Sequence, residues 1–534
     1  VTIQSPISAN RQIARAAGTV MAAILLGQLT GLLRGIVVAR AFPADLLDAF
    51  LVANRVSETL FNLIAGGALG SAFIPTFTGF LAKNERDSAW RLASGVANLL
   101  TLTLSLLAVI AAWFAPQIIR YALAPGLFHD FTLFNLTIDL MRIQLVSAVL
   151  FGLGGLVVGI LNAHQVFLVP ALTPSMYQIG LIFGTLALAP RMGIYGLAWG
   201  VVIGAGLYLF AQIPSLLKVI SADSVVTQHA FRISLSGFND PNVLEVIRLM
   251  GPRLLGVAVV QVNFWVNNWL ASQMSEGSVT GLYYGFALML MAQAAIAQSV
   301  AIAAMPTFSA QFALGKLDEM RHALATALRG MLLLAIPASV GLVLLRETIV
   351  AMLYERGEFT PETTQLVAWA LLWYAIGLVG HSIMEVLTRA FYAQHDTKTP
   401  VLVGAAAMGL NVVFSFGFSA WFRQTGWMPH GGLALANSLA TALEATALFV
   451  LMRRRLNGIE GELLATGFGK SAMAALGMTL ALMVWMQAGV SPNRWVEGLG
   501  GVAVGGLVYG LSVWVLKVPE IQIIMSSIKR RLGK

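Results

Sequence analysis

Residues 91–114 read RLASGVANLLTLTLSLLAVIAAWF, one arginine followed by 23 residues that carry no charge. A bilayer core about 30 Å thick is crossed by roughly 20 apolar residues in a helix, so this stretch predicts one membrane-spanning helix. Reading outward in both directions adds spans near 14–40, 47–80, 135–162, 167–189, 194–217, 243–272, 279–311, 322–346, 364–391, 399–422, 431–452, 469–489 and 496–517. Several are longer than the bilayer requires and are expected to tilt. Composition agrees: of 534 residues, 58% are hydrophobic and 11% charged, with a mean hydropathy of +0.79. Soluble domains average about 25% charged residues, so the chain lacks the side chains to cover a water-facing surface. Disorder is excluded by the same figures. With no cysteine there are no disulfides, thiolate metal sites or cysteine nucleophiles. The expected fold class is an all-α polytopic membrane protein with 14 transmembrane helices.

Cytoplasmic loops accumulate Lys and Arg. With the N-terminus inside, the inside loops hold Arg11, Arg15, Lys83, Arg86, Arg91, Lys218, Arg232, Lys316, Arg321, Lys398 and Arg453-Arg454-Arg455, and the tail adds Lys529, Arg530, Arg531 and Lys534. The outside loops hold Arg120, Arg191, Arg346, Arg356, Arg423 and Arg494. An even number of spans with both termini cytoplasmic fits this distribution. The formal net charge of +9 then reports orientation and contact with anionic lipid, and no nucleic-acid partner is expected. The first span follows a polar Val1–Ala9 stretch with no small-residue cleavage site, and is expected to be a retained helix.

The sequence repeats internally. Pro75-Thr76-Phe77 recurs as Pro306-Thr307-Phe308. Asn162-Ala163-His164-Gln165 before Pro170 corresponds to Tyr392-Ala393-Gln394-His395 before Pro400, and Gly196-Leu197-Ala198 to Gly432-Leu433-Ala434. The offsets are 231, 230 and 236 residues. Each offset spans six helices, an even number, so the two copies share orientation and form a parallel repeat. The expected organisation is an N-lobe at 1–217, a cytoplasmic amphipathic linker at 218–242 and a C-lobe at 243–455. Two appended helices at 456–518 and a basic tail at 519–534 complete it. Two such lobes favour transport by alternating access.

Polar residues at membrane depth are costly and mark cavities or partners. In the first span Gly27, Gly31 and Gly35 form a small-residue face with Gln28 and Arg34 beside it. Arg34 reads either as a snorkelling arginine or as an anion-binding group facing a cavity. In the second span Asp48, Arg55, Glu58 and Asn62 fall at i, i+7, i+10 and i+14, along one face. Arg55 and Glu58 form an internal ion pair or a polar cavity wall, with Glu58 a candidate for protonation. The seventh span offers Gln261, Asn263, Trp265, Asn267 and Asn268, with Arg253 near its start. His381, Glu385 and Arg389 follow an i, i+4, i+8 pattern that reads as an intrahelical ladder or a proton-coupling pair. Asn411 and Glu444 are isolated candidates for an ion site. No Walker A loop and no H-x-x-x-H zinc pair occur. No metal, cofactor or enzymatic activity is expected.

Across nearly its full length the chain resembles the MurJ-type lipid II flippases of the multidrug/oligosaccharidyl-lipid/polysaccharide exporter superfamily. The resemblance rests on Leu33-Arg34-Gly35-Ile36-Val37-Val38-Ala39-Arg40-Ala41-Phe42, Asp48-Ala49-Phe50-Leu51-Val52-Ala53, Gly67-Ala68 and Ala72-Phe73-Ile74-Pro75. It continues in Met250-Gly251-Pro252, Gly277-Ser278-Val279, Tyr283-Tyr284, Gly357-Glu358-Phe359-Thr360, Phe391-Tyr392-Ala393 and Asp396-Thr397-Lys398-Thr399-Pro400. It implies two lobes around a cationic cavity formed by spans one, two, seven and eight, and a groove at spans thirteen and fourteen for a polyprenyl tail. The implied activity is movement of a polyprenyl-diphosphate-linked saccharide across the bacterial cytoplasmic membrane for peptidoglycan synthesis and cell shape. Coupling would be to membrane potential, H+ or Na+, and the protein would act as a monomer.

The chain departs from the family pattern at several points. Gly27-Gln28 stands where the family has Ser-Arg, and Arg34-Gly35 where it has Arg-Asp. Phe61-Asn62 and Gly66 replace an Arg-Arg pair and a following Glu. Gly285-Phe286-Ala287-Leu288-Met289-Leu290-Met291 replaces an Asp-Arg-Leu-x-Glu-x-Pro segment. Arg34 survives, and Arg55 stands where the family often has Lys. Two other readings are a cation-coupled small-molecule antiporter, with Glu58 or Glu385 as its carboxylate, and a transport-inactive membrane scaffold.

Overall fold

The computed structural model describes residues 6–63, 72–222, 240–489 and 493–518, and for residues 6–22, 24, 252, 253 and 255 the backbone alone. Among the described residues there is no strand. A hydrocarbon environment suits this, because a helix satisfies its backbone hydrogen bonds within one segment. The chain divides into two compact units, Val1–Glu276 and Gly277–Lys534.

The first unit contains α1 Pro6–Ala41, α2 Ala44–Phe61, α3 Ile74–Ala82, α4 Arg86–Trp113, the short α5 Ala115–Gln117, α6 Phe131–Ala163, α7 Leu168–Phe183, the short α8 Ala189–Met192, α9 Ile194–Phe210, α10 Ile213–Ala222 and α11 Pro241–Ala271. The second contains α12 Ser278–Gln293, α13 Ser299–Ala313, α14 Leu317–Leu344, α15 Arg346–Tyr354, α16 Pro361–Ala393, α17 Lys398–Gln424, α18 His430–Arg455, α19 Gly461–Gln487 and α20 Arg494–Val515. The repeat reading starts the second half at α11. In the fold, Val243, Val246 and Met250 of α11 join the core of the first unit. Most of the 218–242 linker, the 519–534 tail, Gly66 and Gly67-Ala68 lie outside the described residues.

Among the described residues, eleven helical stretches are long and apolar enough to cross a membrane. The spans expected at 14–40, 47–80 and 243–272 fall on α1, α2–α3 and α11, outside those eleven. Each of these three includes residues or side chains outside the described ones.

The repeat is written into the helix ends. α4 and α14 each have 28 residues, and α6 and α16 each have 33. The turn before α4 carries Asn84 at φ 60°, and the turn before α14 carries Gly315 at φ 69°. Glu85 N–H donates to Phe80 O at 2.9 Å and Lys316 N–H to Gln311 O at 2.9 Å, the same six-residue closure in both. After α6 and α16 the pattern recurs with Gln165 at φ 61° and His395 at φ 60°. There Val166 N–H reaches Leu161 O at 2.9 Å, and Asp396 N–H reaches Phe391 O at 3.1 Å. Only Gly315 of these four tolerates the left-handed conformation without cost.

The repeated Pro-Thr-Phe motif serves the cores. Phe77 and Phe308 are both fully buried, the first among Phe73, Trp90, Leu104 and Ile160, the second among Leu324, Val386 and Phe391. Within a bilayer such burial gains packing more than dehydration, since lipid tails are as apolar as the core. Met478, Leu482, Tyr509 and Val513 attach α19 and α20 to the second core, and the Tyr509 hydroxyl donates to Leu333 O at 2.7 Å. On the outer side Leu476, Leu480 and Val484 of α19 are 65%, 66% and 66% exposed at four-residue spacing. That apolar stripe suits contact with lipid.

Candidate functional site

In the first unit the polar side chains converge on α2, α6 and α11. The α2 stripe forms because Asp48, Arg55, Glu58 and Asn62 return to one helical face. Arg55 Nη1 meets Glu58 Oε2 at 2.9 Å, and Asn54 Nδ2 donates to Glu58 Oε1 at 2.8 Å. Both carboxylate oxygens are therefore engaged by the same helix. The guanidinium of Arg55 lies 5.1 Å from the ring centre of Phe264 on α11, where a cation is attracted by the ring face.

Thr59 carries the next contact. Trp265 Nε1 donates to Thr59 Oγ1 at 2.9 Å, and the hydroxyl donates to Arg55 O at 2.7 Å. One hydroxyl proton cannot serve two acceptors well, so the 3.4 Å approach to Gln261 Oε1 is secondary. On the opposite flank Ser57 donates to Ser147 at 2.7 Å, and Ser147 donates to Gln144 O at 2.7 Å. Gln144 is itself fully buried, and its amide atoms meet no protein partner among the described residues.

The remaining expected residues of this unit are distributed around that core. Asp48 is buried two turns before Arg55, and Asn62 caps α2 at its C-terminal end. Asn263 is buried and accepts weakly from Asn267 Nδ2 at 3.4 Å. α1 packs on α7, with Gly27 facing Ser175 and Gly31 facing Gln178 at ordinary contact distance. Arg34, one turn beyond Gly31, is half-buried, and Gln28 is exposed. The side chain of Arg253 lies outside the described residues. Asn54, Thr59, Ser57, Ser147 and Gln144 were not among the residues expected. Asn54 was findable, four residues before Glu58 on the same face.

In the second unit the His381–Glu385–Arg389 series is divided. His381 is buried and its Nε2 meets Asn437 Oδ1 of α18 at 3.1 Å. Glu385 instead pairs with Arg389 at 3.1 Å. Asn411 is fully buried and accepts from Ser415 at 3.1 Å. The antiparallel pair α17–α18 is set by Gly432 against Phe418 and Ser419, and by Glu444 against Gly404. That register brings Asn411 level with Asn437. Buried Glu444 lies about 10 Å further along α18, seven residues at 1.5 Å each.

The segment at 285–291 begins at a close helix contact. At Gly285 on α12 a Cβ would stand 3.0 Å from Leu371 N and 3.1 Å from Ala370 Cβ of α16. At Gly281, one turn earlier, it would stand 3.2 Å from Leu366 O. α12 and α16 thus approach closely at Gly281 and Gly285, where a larger side chain would crowd the α16 backbone.

A family model described as lipid II flippase MurJ matches residues 38–499. The lipid II flippase MurJ of Burkholderia cenocepacia is 31% identical over 444 residues, covering 83% of this chain and 84% of that protein. The probable lipid II flippase MurJ of Vibrio cholerae is 29% identical over 525 residues, covering 93% and 95%. Among solved structures, an inward closed conformation of lipid II flippase MurJ aligns over 96% of this chain and 99% of its own, with a TM-score of 0.77 and 24% identity. An inward-facing multidrug resistance MATE transporter of the MOP superfamily aligns over 83% of this chain and 99% of its own, with a TM-score of 0.65 and 15% identity. These two structural likenesses speak to the fold. With the family model spanning most of the sequence, the chain belongs to the lipid II flippase MurJ family.

Proposed function

We propose that this protein is a flippase for a polyprenyl-diphosphate-linked saccharide of the lipid II type, acting in the bacterial cytoplasmic membrane for peptidoglycan synthesis. The observation that carries the reading is the family match across residues 38–499 in a chain built of membrane-length helices. The physical task fits the polar surfaces described. A diphosphate–sugar headgroup must be desolvated from the membrane interface, whereas its polyprenyl tail can stay in lipid. Arginine suits the diphosphate because its planar fork binds two phosphate oxygens at once.

Arg34 and Arg55 are the groups assigned to the diphosphate, with Gln28, Asp48, Asn62, Arg253, Asn263 and Asn267 lining the polar route. An arriving diphosphate competes with Glu58 for Arg55, so Glu58 either moves away or takes a proton. Alternating access of two six-helix lobes moves the headgroup across. Membrane potential, H+ or Na+ supplies the bias, through Glu58 in the first unit or through His381, Glu385, Asn411 and Glu444 in the second. Both termini are cytoplasmic, and the protein acts as a monomer without enzymatic chemistry.

The test is translocation of labelled lipid II in proteoliposomes containing the full chain, with an unrelated polyprenyl-diphosphate oligosaccharide in parallel. Lipid II movement above protein-free vesicles is expected. Movement of the other oligosaccharide alone would reassign the cargo, and movement of neither would sink the flippase reading.

A further inference from the structure

Between α14 and α19 lies a cavity of about 670 Å³ whose lining includes Arg329, Lys470, Thr466, Gly467, Glu460 and Glu462. By liquid volume it has room for about twenty waters. Arg329 is 9% exposed, so its side chain is held inside the wall. It fits there because residue 467 is glycine: a Cβ at that position would stand 3.0 Å from Arg329 Nε and 3.2 Å from its Cγ. Lys470 faces the same cavity from one turn along α19, its ammonium 3.4 Å from Lys517 O. The carboxylate of Glu460 is fixed at the rim by His322 Nδ1 at 3.1 Å.

Two features give this cavity a chemistry. The first is depth. No charge follows Arg329 until Arg346, and none follows Lys470 until Arg494, so both cations sit where their helices pass from polar to apolar sequence. That is the level of lipid headgroups, and basic pockets between transmembrane helices at that level are headgroup sites. The second is the mixture of signs, with two cations lining the cavity and two carboxylates beside them. A phosphodiester meets the cations, and a primary ammonium on the same headgroup meets the carboxylates. A second cavity of about 400 Å³ shares Gly461 and is lined by Leu332, Phe449 and Phe468, with Arg453 also on its wall, a mainly apolar surface suited to an acyl chain.

We propose that the cavity binds one bilayer phospholipid with a zwitterionic phosphodiester–amine headgroup, the phosphate on Arg329 and Lys470 and the ammonium on Glu462. Such a lipid would bridge α14 to α19 within the second unit. It is a resident of the membrane, separate from the transported cargo.

The test uses the full chain in detergent, with native mass spectrometry of lipid adducts. The probes are phosphatidylethanolamine, phosphatidylglycerol with the same acyl chains, inorganic phosphate and undecaprenyl diphosphate. Phosphatidylethanolamine should be retained about tenfold better by the parent than by Arg329→Gln or Lys470→Gln. Lys470 is at the cavity edge, so its variant keeps the test valid if Arg329→Gln fails to fold. Glu462→Gln should reverse the preference toward phosphatidylglycerol. Equal retention across the variants would overturn the site. An unchanged preference in Glu462→Gln would overturn the amine assignment. Displacement by millimolar inorganic phosphate, or occupation by undecaprenyl diphosphate alone, would overturn the phospholipid as occupant.

Discussion

Arg55 and Glu58 neutralise each other at 2.9 Å, and at membrane depth a pair of that kind costs far less than either charge alone. Arg34 is half-buried one turn beyond Gly31 on α1, and the proposed function assigns it to the cargo diphosphate. Arg34→Ala should abolish complementation of a flippase-depleted strain, whereas the loop variant Arg423→Ala should support growth. Equal tolerance of both would refute the assignment of Arg34. Gly285→Asp should lower stability by about 1–3 kcal/mol through overpacking against α16, read as a lower thermal unfolding midpoint. The Arg55–Glu58 pair was legible because i, i+3 spacing guarantees proximity within one helix. The His381–Asn437 bond was not, since its partners sit on different helices and a lone asparagine in an Ala/Leu-rich span carries no periodic signal. Gln144 escaped for the same reason, its setting being made by α2 as much as by α6.

The helices are punctuated by turns that recur 230 or 231 residues apart, and short motifs revealed these because each occupies a helix end where geometry is demanding. The corner between α16 and α17 is closed by side-chain bonds as well. Asp396 accepts from Thr399 N–H at 3.0 Å and the Thr399 hydroxyl at 2.7 Å, and pairs with Arg455 at 2.8 Å. Burial opposes ionisation of Asp396, but the two Thr399 donors and the Arg455 guanidinium outweigh it and bring the carboxyl down to about 2. An aspartate in an unfolded chain titrates near about 3.9. The corner's contribution is therefore complete above that value and is lost as pH falls toward the folded value. Asp396→Asn should cost about 1 kcal/mol at pH 6, on the scale of partly exposed pairs. The gap in unfolding midpoint between parent and variant should close between pH 5 and pH 2, and a constant gap would contradict this account. What the motifs did not disclose was the close packing of α7 on α9, where Gly180 and Gly184 meet Gly204 and Gly200 backbone to backbone. Glycine is frequent throughout so apolar a chain, 52 in all, so these four did not stand out. Gly180→Leu should separate the two helices and sharply reduce folded yield.

At the scale of the whole molecule, orientation is the property on which transport direction depends, and it is written in loop charge rather than in any packed contact. Each arginine or lysine held on the inside lowers the energy of one orientation by its affinity for that face, and the preference accumulates over many loops. The reading assigns Lys316, between α13 and α14, to the cytoplasmic side. It assigns Arg356, between α15 and α16, to the outer side. A chain with no cysteine makes the test direct, because a single introduced thiol is the only reactive sulfhydryl present. Lys316 and Arg356 belong to polar turns separated by α14, 28 residues or about 42 Å long at 1.5 Å per residue, and the nine-residue α15. In intact spheroplasts a membrane-impermeant maleimide should label Arg356→Cys and leave Lys316→Cys unmodified. After permeabilisation both should react. Labelling of Lys316→Cys alone in intact cells would invert the topology. Labelling of both would place the two turns on the same face, which a helix of that length spanning the bilayer does not permit.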